Sequence, residues 1–201
     1  QSIAHMTYVE EVDVTDLENL REQLNAERVG NDEPKLTVLP FLMMAMIQAL
    51  KENPKLNAHY DVGAGVIRQY RRVHLGMATQ TSNGLLVPVI RSAEAFDLSG
   101  LASEIIRLAE AAKSGTIARE DLTGSTITLS SLGKMGGLMS TPIINAPEVA
   151  IVGVNKISVR QVWRDGGFVA RKIMNLSSSF DHRIVDGWDA AVFIQKVKAL
   201  I

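Results

Sequence analysis

Four polar residues near the end of the chain have the types and the spacing that proton-transfer chemistry needs. The stretch SSSFDHRIVDGWDA, residues 177–190, places Asp181, His182, Arg183 and Asp186 where a strand-like run gives way to a helix-forming run. A neutral imidazole on a tight turn, held by a short polar network, can act as a general base near pH 7. The alternative is structural, because Asp186 can cap the helix that follows and Arg183 can pair with either aspartate.

The adjacency of Asp181 and His182 argues against a catalytic triad built from these two residues. Neighbouring side chains on a strand point to opposite faces of the sheet. We therefore expect Asp181 to brace the turn through a salt bridge with Arg183. The tautomer of His182 must then be set by another acceptor.

Composition and spacing exclude several other kinds of site. The chain has 201 residues, no Cys and a net charge of −1 with its four His neutral. This excludes disulfides, thiolate metal sites and a cysteine nucleophile, and it provides no strong field for nucleic acid or a membrane surface. The His residues do not pair at metal-ligand spacings, so no metal site is expected. VGAGVIR has Arg68 where a dinucleotide-binding loop needs its third small residue, and GKMGG lacks the spacing of a phosphate loop.

Nothing in the sequence indicates a membrane segment. No apolar run approaches the ~18 residues that span a bilayer. Gln1 begins no signal peptide, and we expect the chain to be a piece of a longer protein because it starts without Met.

The elements that must position the polar turn mix strands and helices without a regular βαβ alternation. Thr15 and Glu18 are predicted to form a capping box that begins the first helix. A second, buried helix is predicted for the apolar run LTVLPFLMMAMIQALKENP. A third helix is predicted to end at Gly115. Strands are predicted for residues 6–14 and for the runs AGVIRQYRRVHLGMATQT, GLLVPVI, GSTITLSSLG and EVAIVGVNKI. A hairpin that turns at residues 165–167 follows them, and the last helix is predicted over residues 188–201. This order predicts a single α+β domain over residues 1–201, with helices packed on a mixed β-sheet.

The segment DHRIVDG, residues 181–187, resembles the DHRxxDG signature of the dihydrolipoamide acyltransferases that form the cores of 2-oxo acid dehydrogenase complexes. The looser His-x-x-x-Asp-Gly pattern is shared with chloramphenicol acetyltransferase and with peptide-synthetase condensation domains. DLTGSTITLSSLG, STPIINAPEVAIVGV and GLLVPVI are also similar to segments of this family, in its order and at its spacing. The resemblance covers nearly the whole chain. It implies a chloramphenicol acetyltransferase-like fold, a two-layer sandwich of helices on a mixed β-sheet.

The resemblance assigns roles to three residues. His182 matches the catalytic base, Ser130 matches the hydroxyl that hydrogen-bonds the tetrahedral oxyanion, and Asp186 matches an aspartate that holds the loop and supports the histidine. The carbonyl oxygen of the histidine itself is expected to set its tautomer. The family forms a homotrimer with its active site between chains, so His182 of one chain is expected to face Ser130 of the next.

Coenzyme A and the dihydrolipoyl group are the substrates that the resemblance implies, and no acyl-enzyme is required. They would enter opposite ends of a channel between subunits; no residue is assigned to coenzyme A contact. The implied partners are lipoyl domains and the decarboxylase and dihydrolipoamide dehydrogenase components, arranged around a 24-mer or 60-mer core, without nucleic acid or membrane. The expected location is the bacterial cytoplasm, with the mitochondrial matrix as the alternative.

The family's members differ in the acyl group that they transfer. YVEEVD is most similar to the branched-chain member, NAPEVAI also resembles the acetyl member, and LMSTPIIN resembles the succinyl member. The succinyl type carries Thr-Asn where this chain has Ser130 and Ser131. The order of preference is therefore branched-chain, acetyl, succinyl.

The residues of the polar turn also bear on two rival functions, and the ends of the chain bear on its domain boundaries. A chloramphenicol-type acetyltransferase is disfavoured by Asp181 and Arg183, and a non-catalytic core scaffold by intact Ser130, His182 and Asp186. The lipoyl and subunit-binding domains of full-length relatives have no match here, and the chain stops at VKALI, before the C-terminal tail of those relatives. We therefore expect the catalytic domain alone, with a truncated tail.

Overall fold

The computed structural model describes residues 3–31 and 33–201, and within them the backbone forms one eight-stranded mixed sheet and a separate two-stranded hairpin. The strands are β1 (His5–Asp13), β2 (Ala58–Asp61), β3 (Val66–Gln69), β4 (Leu75–Thr81), β5 (Gly84–Leu86), β6 (Val89–Ile90), β7 (Ile127–Ser131), β8 (Ala150–Val154), β9 (Ser158–Arg164) and β10 (Gly167–Asp181). The large sheet has the order β1-β10-β8-β7-β4-β5, with β6 beside β4 and β9 beside β10; β2 and β3 form the hairpin. β7 is parallel to β4 and β8, whereas β10 is antiparallel to each of its neighbours.

The core lies between the large sheet and its helices. The described residues contain four α-helices, namely α1 (Thr15–Glu27), α2 (Val38–Glu52), α3 (Leu98–Ser114) and α4 (Gly187–Ala199). Met46 of α2, Leu108 of α3 and Phe193 of α4 are fully buried in one apolar cluster with Leu129 of β7 and Phe180 of β10. The predicted α+β arrangement of helices on a mixed sheet is confirmed. No helix among residues 3–31 and 33–201 combines the length and the apolar character that a membrane span requires.

β10 connects the edge of the molecule to its centre. Its first half pairs with β9 in a hairpin that turns at Asp165 and Gly166, both with positive φ, as the sequence predicted. Its second half lies between β1 and β8 and is almost entirely buried. The strand ends at Asp181, so a strand that is paired on both sides leads directly into the polar turn.

Two local predictions were wrong. Thr15 does not cap α1: its hydroxyl donates to Asp13 Oδ1 at 2.6 Å, and Val14 occupies the cap position. The run predicted as one strand from residue 64 to residue 81 is two strands in different sheets, β3 and β4. The break arises because the Asn57 side-chain amide donates to the carbonyl oxygens of Tyr70 and Arg72, at 2.8 and 2.9 Å, and removes both from strand pairing.

Candidate active site

His182 lies on the tight turn that follows β10. The carbonyl oxygen of Asp181 accepts the backbone N–H groups of Ile184 and Val185, both at 2.9 Å, which closes the turn. The His182 N–H donates to the carbonyl of Ala4 at 2.8 Å and ties the turn to the chain entering β1. The imidazole itself is exposed. The backbone is therefore fixed on both sides while the ring faces outward, which is the arrangement that a general base needs.

The predicted ion pair between Asp181 and Arg183 is confirmed. Asp181 is only 1% exposed, and its two oxygens accept Arg183 Nε at 2.8 Å and Nη2 at 2.6 Å. The guanidinium also lies over the Tyr60 ring, 4.9 Å from its centroid. Burial raises the pKa of the Asp181 carboxyl, but the hydrogen bonds and charge of Arg183 outweigh burial and hold that pKa below its ordinary value. The turn is thus braced by a charged pair that involves the residues on either side of His182.

Asp186 has the structural role that the sequence left open. It is the N-cap of α4, and its Oδ1 accepts the Asp189 N–H at 2.9 Å. Such a cap stabilises a helix by about 1 kcal/mol. Within the described residues the His182 imidazole forms no hydrogen bond with another residue, Asp186 included. Asp186 therefore fixes the start of α4 rather than contacting the imidazole.

Ser130 lies at the opposite end of the sheet from His182. Ser130 of β7 pairs with Gly153 of β8, which pairs with Ser177 of β10, so the three residues form one level across the sheet. His182 lies five residues beyond Ser177 along the chain. With ~3.4 Å per residue and ~4.8 Å between strands, Ser130 and His182 are about 20 Å apart within one chain. A single chain does not bring the predicted base and the predicted oxyanion donor together.

The surroundings of Ser130 are open and apolar. Ser130 is half-buried and forms part of the wall of a cavity of about 520 Å³ between α3 and the ends of β4 and β7. Leu39, Ile105 and Leu129 line this cavity, with Lys113 at its polar side. Two parts of the chain expose large apolar side chains. The segment after β7 exposes Leu132, Met135, Leu138, Met139 and Ile143, and the β9–β10 hairpin exposes Val159, Trp163 and Phe168.

A buried carboxyl group, which the sequence patterns did not single out, lies near the His182 end. Glu148 is 1% exposed, and its Oε1 accepts hydrogen bonds from Ser125, from Thr128 at 2.9 Å and from Asn145 at 2.9 Å. Its Oε2 has no partner among the described residues. Burial raises the pKa of Glu148 and outweighs the hydrogen bonds, which lower it. The sequence feature that could have indicated this buried carboxyl is the position of Glu148 among the apolar residues of NAPEVAI.

A mixed sheet covered by helices on one face is the architecture of the chloramphenicol acetyltransferase class of fold. Superposition on a chloramphenicol acetyltransferase gives a TM-score of 0.62 at 16% identity over 98% of this chain and 87% of that one, so the likeness concerns the fold alone. The family model described as 2-oxoacid dehydrogenases acyltransferase (catalytic domain) matches residues 1–201. The chain belongs to this family, and the resemblance inferred from DHRIVDG is confirmed.

Relatives within the family are considerably more similar. The lipoamide acyltransferase component of the branched-chain alpha-keto acid dehydrogenase complex of Pseudomonas aeruginosa is 61% identical over 99% of this chain and 46% of its own length. A structure of Azotobacter vinelandii dihydrolipoamide acetyltransferase superposes with a TM-score of 0.92 at 41% identity, over 99% of this chain and 82% of that one. The cubic core of a pyruvate dehydrogenase multienzyme complex gives the same values. The chain spans about half the length of the curated branched-chain relative.

Proposed function

We propose that this chain is the acyl-transfer core of a branched-chain 2-oxo acid dehydrogenase complex, and that it moves an acyl group between a dihydrolipoyl arm and coenzyme A. The observation that carries the proposal is an exposed His182 on an internally braced turn, at a set spacing from Ser130. The Azotobacter vinelandii structure concerns the catalytic roles of one serine, one histidine and one asparagine, spaced by 52 and 4 positions. Ser130, His182 and Asp186 have the same spacing. Asp186 replaces the asparagine, and both residue types serve equally as N-caps.

The chemistry follows from the residue types. A free thiol has a pKa of about 8.5, so little thiolate exists at neutral pH. The His182 imidazole takes the thiol proton as the sulfur attacks the thioester carbonyl, a contribution of ~10²–10⁴-fold. The Ser130 hydroxyl donates to the oxygen on which negative charge develops, a contribution of ~10²–10³-fold. The tetrahedral intermediate then expels the second sulfur, which receives the proton back from the imidazolium.

A site between chains is part of the proposal. Ser130 and His182 are about 20 Å apart within one chain by strand spacing, so a complete site requires a second copy. Closed threefold symmetry supplies one by placing the His182 end of each chain against the Ser130 end of the next. The exposed apolar side chains of the β9–β10 hairpin and of the segment after β7 offer surface for this contact. The proposal includes assembly of these trimers into a 24-mer or 60-mer core. The proposed partners of the core are lipoyl domains, the decarboxylase and the dihydrolipoamide dehydrogenase. The proposed location is the bacterial cytoplasm.

The preference for a branched-chain acyl group rests on similarity. The branched-chain relative is 61% identical, whereas the pyruvate dehydrogenase component of Azotobacter vinelandii is 41% identical. Acetyl is therefore the second candidate.

An acyl-transfer assay with purified protein tests the proposal. Free dihydrolipoamide is offered with isobutyryl-, acetyl- or succinyl-coenzyme A, and the highest kcat/KM is expected with isobutyryl-coenzyme A. His182→Ala and His182→Asn, which keeps a polar side chain but cannot take the proton, should both lose at least ~10²-fold in rate while the oligomer survives. Acetylation of chloramphenicol would favour the antibiotic-type enzyme, and no transfer with any acyl donor would favour a scaffold. Loss of the oligomer in both variants would return His182 to a structural role.

A further inference from the structure

Three residues on adjacent strands form a row that includes Ser130. The pairing of Ser130 with Gly153, and of Gly153 with Ser177, places the three at one level of β7, β8 and β10. Residues paired in this way direct their side chains to the same face of the sheet. Ser130 and Ser177 therefore flank a position that has no side chain.

The space above Gly153 is filled by the segment 136–142. A Cβ atom at Gly153 would lie 2.5 Å from the Ser177 carbonyl oxygen, and 3.4 Å from both Pro142 Cγ and Ser140 Oγ. The segment thus descends onto the sheet where the glycine leaves room. Because neighbouring strands are ~4.8 Å apart, the segment lies about one strand spacing from Ser130.

A buried serine holds this segment in place. The Ser177 hydroxyl accepts the Ser140 N–H at 3.1 Å and donates to Asn155 Oδ1 at 2.7 Å. Ser177 is 0% exposed and Asn155 is 5% exposed, so both bonds are shielded from water. A second anchor lies two residues earlier on β10, where the Asn175 amide donates to the Leu138 carbonyl at 2.8 Å.

We propose that Ser177 is a positioning residue, which holds the segment 136–142 as a wall of the acyl site beside Ser130. This inference rests on the proposed function. The acyl chain begins at the carbonyl whose oxygen Ser130 contacts, so a wall one strand spacing away meets the first carbons of that chain. The segment presents Leu138 and Met139, whose side chains are exposed in the single chain. An aliphatic acyl group is the chemical class that such a wall accepts.

The neighbouring Ser178 provides a matched control. Ser178 is also 0% exposed and lies on the same strand, but its hydroxyl has no hydrogen-bond partner among the described residues. Ser177→Ala and Ser178→Ala therefore remove the same atom from equally buried positions. Only the first change releases the segment.

The test compares these variants in the intact oligomer by acyl-transfer kinetics and by amide hydrogen exchange. Ser177→Ala is expected to raise KM for isobutyryl-coenzyme A about fivefold to tenfold, because the hydrogen bonds to Ser140 and Asn155 are both lost, and to reduce the preference for isobutyryl over acetyl. Exchange of amides in the segment 136–142 should quicken. Asn175→Ala, a change at a partly exposed residue, should shift both readouts in the same direction, and Ser177→Thr should restore them; Ser178→Ala should leave both at the wild-type value.

The possible failures separate the inference from the function. If the wild-type protein is active and Ser177→Ala has the same acyl preference and KM as Ser178→Ala, the inference is overturned and the proposed function stands. Faster exchange in Ser177→Ala without a kinetic change overturns the wall role as well, since the segment would then be held for another purpose. A wild-type protein that transfers no acyl group overturns the proposed function, and the wall role with it.

Discussion

The two ends of the large sheet are built differently. At the His182 end, a buried aspartate, a paired arginine and a helix cap fix the turn within a single chain. At the Ser130 end, the strand opens onto a cavity and a segment whose large apolar side chains are exposed, Met135 by 88%. One chain therefore completes the support of His182, the proposed base, whereas it leaves the surroundings of Ser130, the proposed oxyanion donor, open.

This difference matches the demands of the proposed reaction. A general base must be oriented to within a few tenths of an ångström before substrate arrives, so its bracing has to be internal and permanent. The acyl site must admit a coenzyme on one side and a lipoyl arm on the other, so its walls need an opening. The site that we propose between subunits satisfies both requirements, because in that arrangement each chain contributes a rigid base to its neighbour's open site.

The largest expected effect comes from mixing two inactive variants. His182→Ala and Ser130→Ala should each lower kcat by at least ~10²-fold. In mixed trimers prepared from equal amounts of both, about a quarter of the sites combine His182 of one chain with Ser130 of another, so about a quarter of wild-type activity should return. Acyl-transfer rates of co-assembled and separately assembled samples measure this directly.

A double variant controls for subunit mixing. Chains carrying both His182→Ala and Ser130→Ala, mixed with His182→Ala chains, contain no intact base and should stay inactive. If the mixture of single variants is no more active than its better component, the two ends do not meet between chains and the comparison between them loses its functional meaning.

The second expected effect concerns the bracing of the His182 turn. Asp181→Asn removes the charge from hydrogen bonds to Arg183 and should lower the free energy of unfolding by about 2 kcal/mol at pH 7. Because the folded pKa of Asp181 lies below its ordinary value, its stabilising contribution is full above the unfolded pKa of about 3.9 and is lost as pH falls through the folded pKa. Urea unfolding of both proteins should therefore give free energies that converge as the pH is lowered towards 3. If the difference in free energy of unfolding between the two proteins stays constant across this range, the charge of Asp181 contributes nothing to stability.

Much of this architecture could be predicted from local sequence. The alternation of adjacent side chains placed Asp181 away from His182, and the apolar run of α2 identified a buried helix, because both depend on spacing along one element. The Tyr60 ring under Arg183 and the anchoring of Ser140 by Ser177 could not be predicted, since these contacts join residues distant in the chain. The capping box at Thr15 was predicted wrongly because Asp13, two residues earlier, accepts the hydroxyl hydrogen of Thr15. The resemblance to the family predicts that His182 of one chain faces Ser130 of the next, but the pattern within a single chain does not identify the residues of that contact.

The smallest expected effect tests whether the His182 end tolerates a buried charge. Glu148 has no cationic partner in its hydrogen-bonded cluster, and burial raises its pKa. A carboxyl with a raised folded pKa contributes its full stability below the unfolded pKa of about 4.3 and loses it as pH rises through the folded pKa. Glu148→Gln keeps an acceptor for the three donors and resembles the protonated acid at every pH. The free energy of unfolding of the variant, relative to the wild type, should therefore be constant below pH 4 and should rise towards pH 8, with little change in acyl transfer. A relative gain by the wild-type protein over the same range would mean that Oε2 faces a group that stabilises its negative charge.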